Sequence, residues 1–537
     1  MTHQAATPKP GSVIDSTSAK PRLAPAAWIA NRLSRLSPEA ILVGLGLFVL
    51  LAVFVSADPS SHATVSVAPF TDEAGNLENA RNFVQLGTWS TDQWNLYLVN
   101  LPFSLLLAAW FQLVGVGIVQ ARLVMIACTS LTAAALVWGL RDIVGRGWAT
   151  FAGLAFAASG LILFYGRLAF LEDLVVLGLT LGTLVLARPN RVNARGGALA
   201  GIFYAIAIGT KPSALFAVFG ILVVLGIVWG RRDPAMRRWL VASAGIIAVA
   251  GLLWVVAIWL PNRNAVSIDM KIWPPYQWNL TPVGLLNSIK RYIGSSDSVL
   301  GIMLLPLIAL ASAGMVSIVA LRRRLAEPEA RMAAAAFAWA AFGFGILLVA
   351  SYRPNRYVVP LVPALAILAA IGLHLFTGWL REQLDERPAP VAAAQSAAAS
   401  PAAPAARDGR ARRMAASLIA AAASLVAVSP GLLWYGNWAR DASHDLVAIQ
   451  NQFANAVPAG ETVAGANSEL FLMRSRAKTV IIGLANDGNL YSEGTRWYLL
   501  QSDAAAPEGV PDSVWTARER VMCSDWRGGV FCLFHLP

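Results

Sequence analysis

The sequence predicts a polytopic α-helical membrane protein of about eleven transmembrane helices, followed by a small C-terminal α/β domain. Two observations on composition and pattern lead to this fold class. Of the 537 residues, 57% are hydrophobic and 13% are charged, whereas a soluble protein is about 25% charged. Many apolar runs approach the length of about 20 residues that crosses a bilayer. Residues 437–537 have much weaker hydropathy and alternate short β-like runs with polar turns, which indicates a separate small domain.

The formal net charge of +12 does not indicate nucleic-acid binding, because Lys and Arg fall in short clusters between the apolar runs. Such clusters mark cytoplasmic loops. All of them fall on the N-terminal side if residues 98–116 do not cross the membrane but lie on it as the second helix of an external loop. The clusters are Arg141/Arg146, Arg188/Arg191/Arg195, Arg231/Arg232/Arg237/Arg238, Arg322/Arg323/Arg324/Arg331 and Arg381 to Arg413.

This orientation defines eleven crossings and puts the C-terminus outside. The crossings are approximately 39–57, 119–140, 148–165, 173–187, 197–210, 213–230, 238–260, 299–320, 332–350, 357–379 and 414–436. The predicted parts are a disordered cytoplasmic tail (1–38), a transmembrane domain (39–380) with a long first external loop (58–118), an Ala/Pro-rich cytoplasmic linker (381–413), the last transmembrane helix (414–436) and an external α/β domain (437–537). We expect a multi-pass protein of a bacterial inner membrane, with the N-terminus in the cytoplasm and the C-terminal domain in the periplasm.

Two cysteines of the C-terminal domain are candidates for a disulfide. Cys523 and Cys532 flank Gly528-Gly529, which is typical of a hairpin turn, and the predicted strands include Thr479–Leu484 and Val530–Phe534. The two thiols could face each other across paired strands and oxidise in an oxidising compartment. Two unpaired thiols in a small core remain the alternative.

Two adjacent carboxylates, Asp72 and Glu73, follow the first crossing on the external side. The next segment, 74–86, has helical spacing with polar residues on one side, as expected for a helix that lies on the membrane. Near an apolar surface a carboxylate keeps its charge only with a partner or a function. The alternative is a pair of solvated loop acids.

Further charges lie in external turns, against the general charge bias. Glu172 and Asp173 begin one crossing with Arg167 close by; they face a cavity, pair with the cation of Arg167, or simply reach water from a helix end. Lys211 lies between two apolar helices, and Arg353 and Arg356 lie in a later turn. If these three cations converge, they would form a phosphate site, and Arg167 is a further candidate for binding the donor phosphate.

The order of these motifs resembles that of the C-type membrane glycosyltransferases, in particular the aminoarabinose transferases and the protein O-mannosyltransferases. The resemblance spans about residues 40–375. The motifs that carry it are Asp72-Glu73 with the following helix and Gly87-Thr88-Trp89, the turn Leu171-Glu172-Asp173, Thr210-Lys211, and Arg356-Tyr357 followed by Pro360 and Pro363.

The resemblance implies a polyprenyl-phosphate-linked sugar as donor, a lipid, glycan or protein acceptor on the periplasmic side, and inversion at the anomeric carbon. It implies that Asp72 is the general base, that Glu172 or Asp173 is the acid of the second loop, and that Lys211 binds the donor phosphate. If a divalent metal ion takes part, Asp72 and Glu73 would bind it. One departure is that 94–97 reads Trp-Asn-Leu-Tyr where aminoarabinose transferases have Glu-Lys-Pro, so other cations must bind the phosphate.

Two other classes of function fit a polytopic protein with charged external turns. A transporter or lipid flippase would hold these charges along a central pathway, often with internal repeats and broken helices. A scaffold for envelope assembly would need no reactive group. The charged residues of the external turns are predicted on the same side of the membrane, which favours transfer chemistry on one side over alternating access.

Overall fold

The computed structural model describes residues 37–59, 71–92, 95–272, 280–290, 299–350, 354–385, 403–465, 467–482, 490–526 and 529–537. The helices of the N-terminal half are α1 (Pro38–Ala52), α2 (Thr71–Leu86), α3 (Leu101–Val114), α4 (Ile118–Ala157), α5 (Gly160–Tyr165), α6 (Leu171–Leu184), α7 (Ala194–Thr210), α8 (Ala214–Leu225), α9 (Pro234–Trp254) and α10 (Arg263–Ile272). The later helices are α11 (Pro282–Ile289), α12 (Val299–Ala320), α13 (Glu327–Val349), α14 (Val362–Asp385), α15 (Ala403–Arg440), α16 (Asp445–Phe453), α17 (Ser468–Phe471) and α18 (Asp512–Thr516). The strands are β1 (Thr462–Ala464), β2 (Lys478–Val480), β3 (Trp497–Gln501), β4 (Glu519–Trp526) and β5 (Gly529–His535).

Helix α4 consists of two helices that meet at Gly145. The backbone there leaves the helical region with φ 78° and ψ 166°, which glycine adopts at little cost. The two halves then run side by side, because a Cβ added at Gly153 would lie 2.3 Å from Cγ2 of Val137. The two halves cover the segments 119–140 and, in part, 148–165, which the sequence predicts as separate crossings; that they cross a membrane stays a prediction.

The apolar helices pack closely where glycines face each other. A Cβ added at Gly372 of α14 would lie 2.1 Å from Cα of Gly314 of α12, so the two backbones touch, as small residues allow in membrane helices. Among the described residues, the helices long and apolar enough to cross a bilayer are Ile118–Ala157, Pro234–Trp259, Glu327–Val349 and Asn355–Gln383. The other predicted crossings lie in helices outside this set, several of which are shorter than a full span, so the count of eleven and the orientation stay predictions.

The predicted linker 381–413 is helical at both ends. Helix α14 continues to Asp385, and α15 begins at Ala403, eleven residues before the predicted crossing at 414–436. Alanine has the highest helix propensity, and proline is tolerated in the first turn of a helix, where Pro404 lies. Residues 386–402 lie outside the described residues, as does most of the tail 1–38.

The C-terminal domain is the small α/β domain that the sequence predicts. Its five strands form one sheet in the order β2-β1-β3-β5-β4, with β1 parallel to both neighbours and β5 antiparallel to both of its neighbours. Strand β5 contains the predicted segment Val530–Phe534, and β2 overlaps the predicted segment Thr479–Leu484.

Strands β4 and β5 form the hairpin that the sequence predicts near its C-terminal cysteines. Cys523 lies opposite Cys532, and the structure joins them in a disulfide. Trp526 pairs with Gly529 at the end of the hairpin. Residues 527–528, which include part of the predicted turn Gly528-Gly529, lie outside the described part of the chain.

Helices α2 and α3 and the C-terminal domain share one hydrophobic core. Leu77 of α2, Phe103 of α3 and Phe471 and Phe531 of the domain are buried in the same cluster. The polar side of α2, which a helix on the membrane surface would turn to water, is therefore buried beneath the domain. The residues that cover it lie about 390 positions further along the chain, so the periodicity of α2 could not reveal them.

Candidate active site

The side chain of Glu73 is completely buried at the start of α2, and both of its carboxylate oxygens accept hydrogen bonds. Arg122 of α4 donates from Nε to Oε1 at 2.7 Å and from Nη2 to Oε2 at 2.8 Å. The backbone N–H of Ala169 donates to Oε1 at 2.8 Å. A divalent ion does not fit at this carboxylate, because its oxygens are already used and the guanidinium would repel a cation.

Arg167 is also buried and bound to the backbone that follows α1. Its Nη1 donates to the carbonyl of Ala57 at 2.8 Å and its Nη2 to the carbonyl of Asp58 at 3.0 Å. The guanidinium lies 4.2 Å from the ring centroid of Trp438. With 1% of its surface exposed, Arg167 connects the backbone after α1 to the turn before α6, and its predicted role in binding the donor phosphate stays a prediction.

Three of the predicted site residues, Glu172, Lys211 and Arg356, meet beside Tyr357, and we call these four residues the Lys211 cluster. Nζ of Lys211 lies 2.5 Å from Oε1 of Glu172, and Nε of Arg356 lies 3.6 Å from the same oxygen. Nζ of Lys211 also lies 3.4 Å from the ring centroid of Tyr357. Two cations beside one carboxylate and an aromatic ring are groups that bind a phosphate ester.

Local structure explains how the Lys211 cluster forms. Lys211 follows the last residue of α7, and Pro212 prevents the helix from continuing. Glu172 lies in the first turn of α6, where the helix dipole favours a negative charge. Arg356 lies in the 3₁₀ segment Asn355–Leu361, directly before α14. The side chains of Lys211 and Arg356 are 12% and 11% exposed, so a ligand would find them at the edge of the protein interior.

Asp173 lies beside the Lys211 cluster but faces a different helix. Its Oδ1 accepts a hydrogen bond of 2.9 Å from Oγ1 of Thr129. Within the described residues its buried Oδ2 accepts none, and the side chain is almost completely buried. The structure therefore separates the two neighbouring acids, with Glu172 on the cations and Asp173 on α4.

Two predicted site residues lie outside the described part of the chain. The backbone of Asp72 belongs to the first turn of α2, but its side chain lies outside, and so does Arg353. The placement of the Asp72 carboxylate therefore stays a prediction. In the described residues no group of three or more His, Cys, Asp or Glu side chains is arranged to hold a metal ion.

A buried polar group between α2 and the C-terminal domain was not predicted from the sequence. Arg81 donates to the carbonyls of Met473, Ser475 and Ala477 at 3.2, 2.8 and 2.7 Å. It also donates to Oγ1 of Thr479 at 3.1 Å. These bonds fix α2 against residues 473–479 of the domain. Burial lowers the pKa of Arg81 to about 10.

Acidic side chains lie around Arg81. Oε1 of Glu78 accepts a hydrogen bond of 2.7 Å from Thr479, whereas its buried Oε2 and both oxygens of Glu469 accept none within the described residues. Burial, and secondly the nearby charge of Asp92, raise the pKa of Glu78 to about 8. Burial also raises the pKa of Glu469 well above its usual range. We call Glu78, Arg81, Asp92 and Glu469 the Arg81 cluster.

Comparison with solved structures identifies the fold. The chain is similar to ArnT from Cupriavidus metallidurans bound to undecaprenyl phosphate, with 18% identity, a TM-score of 0.60, and coverage of 95% of this chain and 98% of that one. The apo state of the same protein gives a TM-score of 0.59 at 17% identity, with the same coverage. Archaeal oligosaccharyltransferase AglB from Archaeoglobus fulgidus gives 0.49 at 11% identity, over 85% of this chain and 69% of that one. No family model and no curated protein matches the chain.

The fold is therefore that of the C-type membrane glycosyltransferases, the class that includes ArnT, an aminoarabinose transferase. The resemblance seen in the order of the sequence motifs is confirmed at the level of the fold. Because the identity is low, the chemistry of this chain has to be argued from its own residues.

Proposed function

We propose that this chain is a membrane glycosyltransferase that moves a sugar from a polyprenyl-phosphate donor to an envelope acceptor on the periplasmic face of a bacterial inner membrane. The observation that carries the proposal is the Lys211 cluster, which gathers charges from three distant turns in a fold shared with a protein solved with undecaprenyl phosphate. The acceptor is a lipid, a glycan or a protein.

The proposed chemistry follows from where charge develops. The acceptor hydroxyl loses a proton as it attacks the anomeric carbon, and Asp72 accepts that proton as general base. The bond from the anomeric carbon to the phosphate oxygen breaks, and the polyprenyl phosphate leaves with an additional negative charge. Lys211 and Arg356 stabilise this charge more strongly in the transition state than in the bound donor. Attack opposite the leaving group inverts the anomeric configuration.

In this mechanism Glu172 orients the two cations rather than exchanging protons with the substrate. Its Oε1 contacts both Lys211 and Arg356, and its side chain is only 2% exposed. Asp173, which contacts neither cation in the contacts described above, keeps the role of a second acid near the sugar as the resemblance implies.

A transporter or flippase remains the alternative, and the placement of the charges favours the transferase. The Lys211 cluster forms at the ends of α6, α7 and α14 rather than in the middle of a helix bundle, where transporters place their binding sites.

The direct test of the donor site is Lys211→Ala in the full-length protein in lipid nanodiscs. We expect binding of undecaprenyl phosphate to weaken, and transfer from undecaprenyl-phosphate-linked sugars to slow by about 10²–10³, the usual cost of one such contact. Lys290, an exposed lysine at the end of α11, supplies the matched control Lys290→Ala, which should behave as wild type. Equal binding and equal rates for the two variants would remove Lys211 from the donor site.

The acceptor is best identified in cells. A deletion strain should lose one glycan modification. Complementation with the wild-type gene should restore it, and complementation with Lys211→Ala should not. Mass spectrometry of envelope lipids, cell-wall glycans and proteins then reveals both the sugar and the acceptor. An unchanged set of envelope glycans in the deletion strain would count against the proposed function.

A further inference from the structure

We propose that Glu73 is a positioning residue: its buried carboxylate, held by Arg122 and the N–H of Ala169, sets the distance between Asp72 and the Lys211 cluster. This inference rests on the proposed function, because it assigns a purpose to Glu73 only if Asp72 and the cluster act together.

One carboxylate connects the two segments that carry the proposed reacting groups. Glu73 directly follows Asp72, and Ala169 precedes Glu172 by three residues. The bond from the N–H of Ala169 to Oε1 of Glu73 is 2.8 Å long. The start of α2 and the turn before α6 are therefore fixed to each other through a single side chain.

Arg122 extends this connection to the end of the first helix. While two of its nitrogens bind Glu73, its Nη1 donates to the carbonyls of Val55 and Ala57 at 2.9 and 3.0 Å. Arg167 binds the same carbonyl of Ala57. The segments 55–58, 71–73 and 167–169 thus meet at two arginines and one carboxylate, and both partners of the Glu73–Arg122 pair are 0% exposed.

This geometry distinguishes positioning from the other roles open to Glu73. A general base must reach the proton it removes, but both oxygens of Glu73 already accept bonds from the protein. An ion pair buried to this extent often contributes little net stability, because both charges lose their water. The need for a fixed geometry at the reacting groups explains why the Glu73–Arg122 pair lies next to Asp72. A displacement of a reacting group by about 1 Å can lower the rate by about 10²-fold.

The test uses Glu73→Asp in the full-length protein in lipid nanodiscs. This variant keeps the charge but shortens the connection by one methylene. We expect kcat for transfer from undecaprenyl-phosphate-linked sugars to fall by about 10²-fold. The affinity for undecaprenyl phosphate and the pH of half-maximal rate should match wild type, because the Lys211 cluster and Asp72 are unchanged. If Glu73 were needed only for folding, its substitution would lower yield and thermal stability, but it would not lower kcat while leaving the affinity for undecaprenyl phosphate unchanged.

Glu329→Asp is the matched control. Glu329 is a largely buried glutamate whose Oε1 lies 3.4 Å from Nε2 of His374, and whose Oε2 accepts the backbone N–H of Ala326. The same shortening there should leave kcat at the wild-type value. If Glu73→Asp does not fold, Arg122→Lys replaces it, since this variant keeps a positive charge but loses the paired contact, and the same fall in kcat is expected.

The outcomes separate this inference from the proposed function. A wild-type kcat in Glu73→Asp or in folded Arg122→Lys would overturn the positioning role while leaving the transferase intact. A fall in donor affinity equal to the fall in kcat would also overturn it, because Glu73 would then act through the phosphate site. A wild-type protein that transfers no sugar from any undecaprenyl-phosphate donor would overturn both.

Discussion

The buried acid Glu78 should make the contact between α2 and the C-terminal domain depend on pH. Its side chain is 1% exposed and lies with Asp92, Glu469 and Arg81 in the Arg81 cluster. When the contact opens, Glu78 enters water and its pKa returns to the usual value. Glu78→Gln is the appropriate perturbation, since glutamine has nearly the same shape, can still accept the bond from Thr479, and does not titrate.

The sign and size follow from the two pKa values. Burial, then Asp92, raise the pKa of Glu78 from 4.5 to about 8 in the closed state. Between these values the closed form holds a proton that the open form releases, so the free energy of opening falls as pH rises, by about 1.4 kcal/mol per unit. From pH 6 to pH 7.5 the wild-type contact should lose about 2 kcal/mol, which is about a 30-fold increase in the opening equilibrium.

Hydrogen–deuterium exchange measures this opening directly. Peptides covering α2 and residues 470–480 are followed at pH 6 and pH 7.5, after correction for the intrinsic pH dependence of amide exchange. Glu78→Gln should reduce the slope by the contribution of Glu78, so that its protection at pH 7.5 exceeds that of wild type. Glu493→Gln, at an exposed acid of the same domain, is the control and should keep the wild-type slope.

Two results would refute this reasoning. If wild-type protection in these peptides did not change between pH 6 and pH 7.5, Glu78 would not differ in proton affinity between the closed and open states. If Glu78→Gln kept the wild-type slope, the titrating group would be another one, with Glu469 the first to examine because burial raises its pKa as well.

Two further predictions concern the proposed base and the disulfide. Asp72→Asn should fold as wild type but transfer no sugar in the nanodisc assay, because an amide cannot take the acceptor proton; wild-type transfer would remove Asp72 from the mechanism. Replacing both Cys523 and Cys532 by serine should lower the free energy of opening of the β4–β5 hairpin by about 2–3 kcal/mol, as expected for a short closed loop. Exchange in β4 measures this, and unchanged protection would contradict it.

Much of the fold was predictable because it follows from local patterns of apolar and polar residues. Apolar runs marked the helices, and the change to short β-like runs marked the C-terminal domain. The reversal within α4 was also predictable, since Arg141 and Arg146 interrupt an apolar stretch that would otherwise be too long for one crossing. The number of crossings was harder to fix, because several helices, such as α1 and α3, are shorter than a full span.

The Lys211 cluster could be predicted because its cations oppose the charge bias of the sequence. Lys211 and Arg356 are positive charges in turns predicted to be external, where few cations are expected. The structure brings both of them to the same oxygen of Glu172. The rule that places cations in cytoplasmic loops does not account for these two residues, so a chemical role could be suspected from the sequence.

The roles of Glu73 and Arg167 could not be judged from sequence in the same way. Both are charged residues at helix ends, and a catalytic acid looks the same as a buried structural one until its partner is known. The partner of Glu73 is Arg122, which lies just inside a predicted crossing. Arg81 posed a similar problem, because the carbonyls that it binds belong to irregular backbone at 473–477, where sequence pattern carries no information about hydrogen bonding.

The bonds from Arg81 to carbonyls of the C-terminal domain have a consequence for biosynthesis. Helix α2 emerges from the ribosome long before residues 473–477 are synthesised. Arg81 and Glu78 therefore stay exposed to water until the segments that bury them have been made. The loop carrying Asp72 therefore cannot reach its final placement during translation of the membrane helices. Newly made chains should gain activity only once the C-terminal domain has been synthesised and has packed against α2.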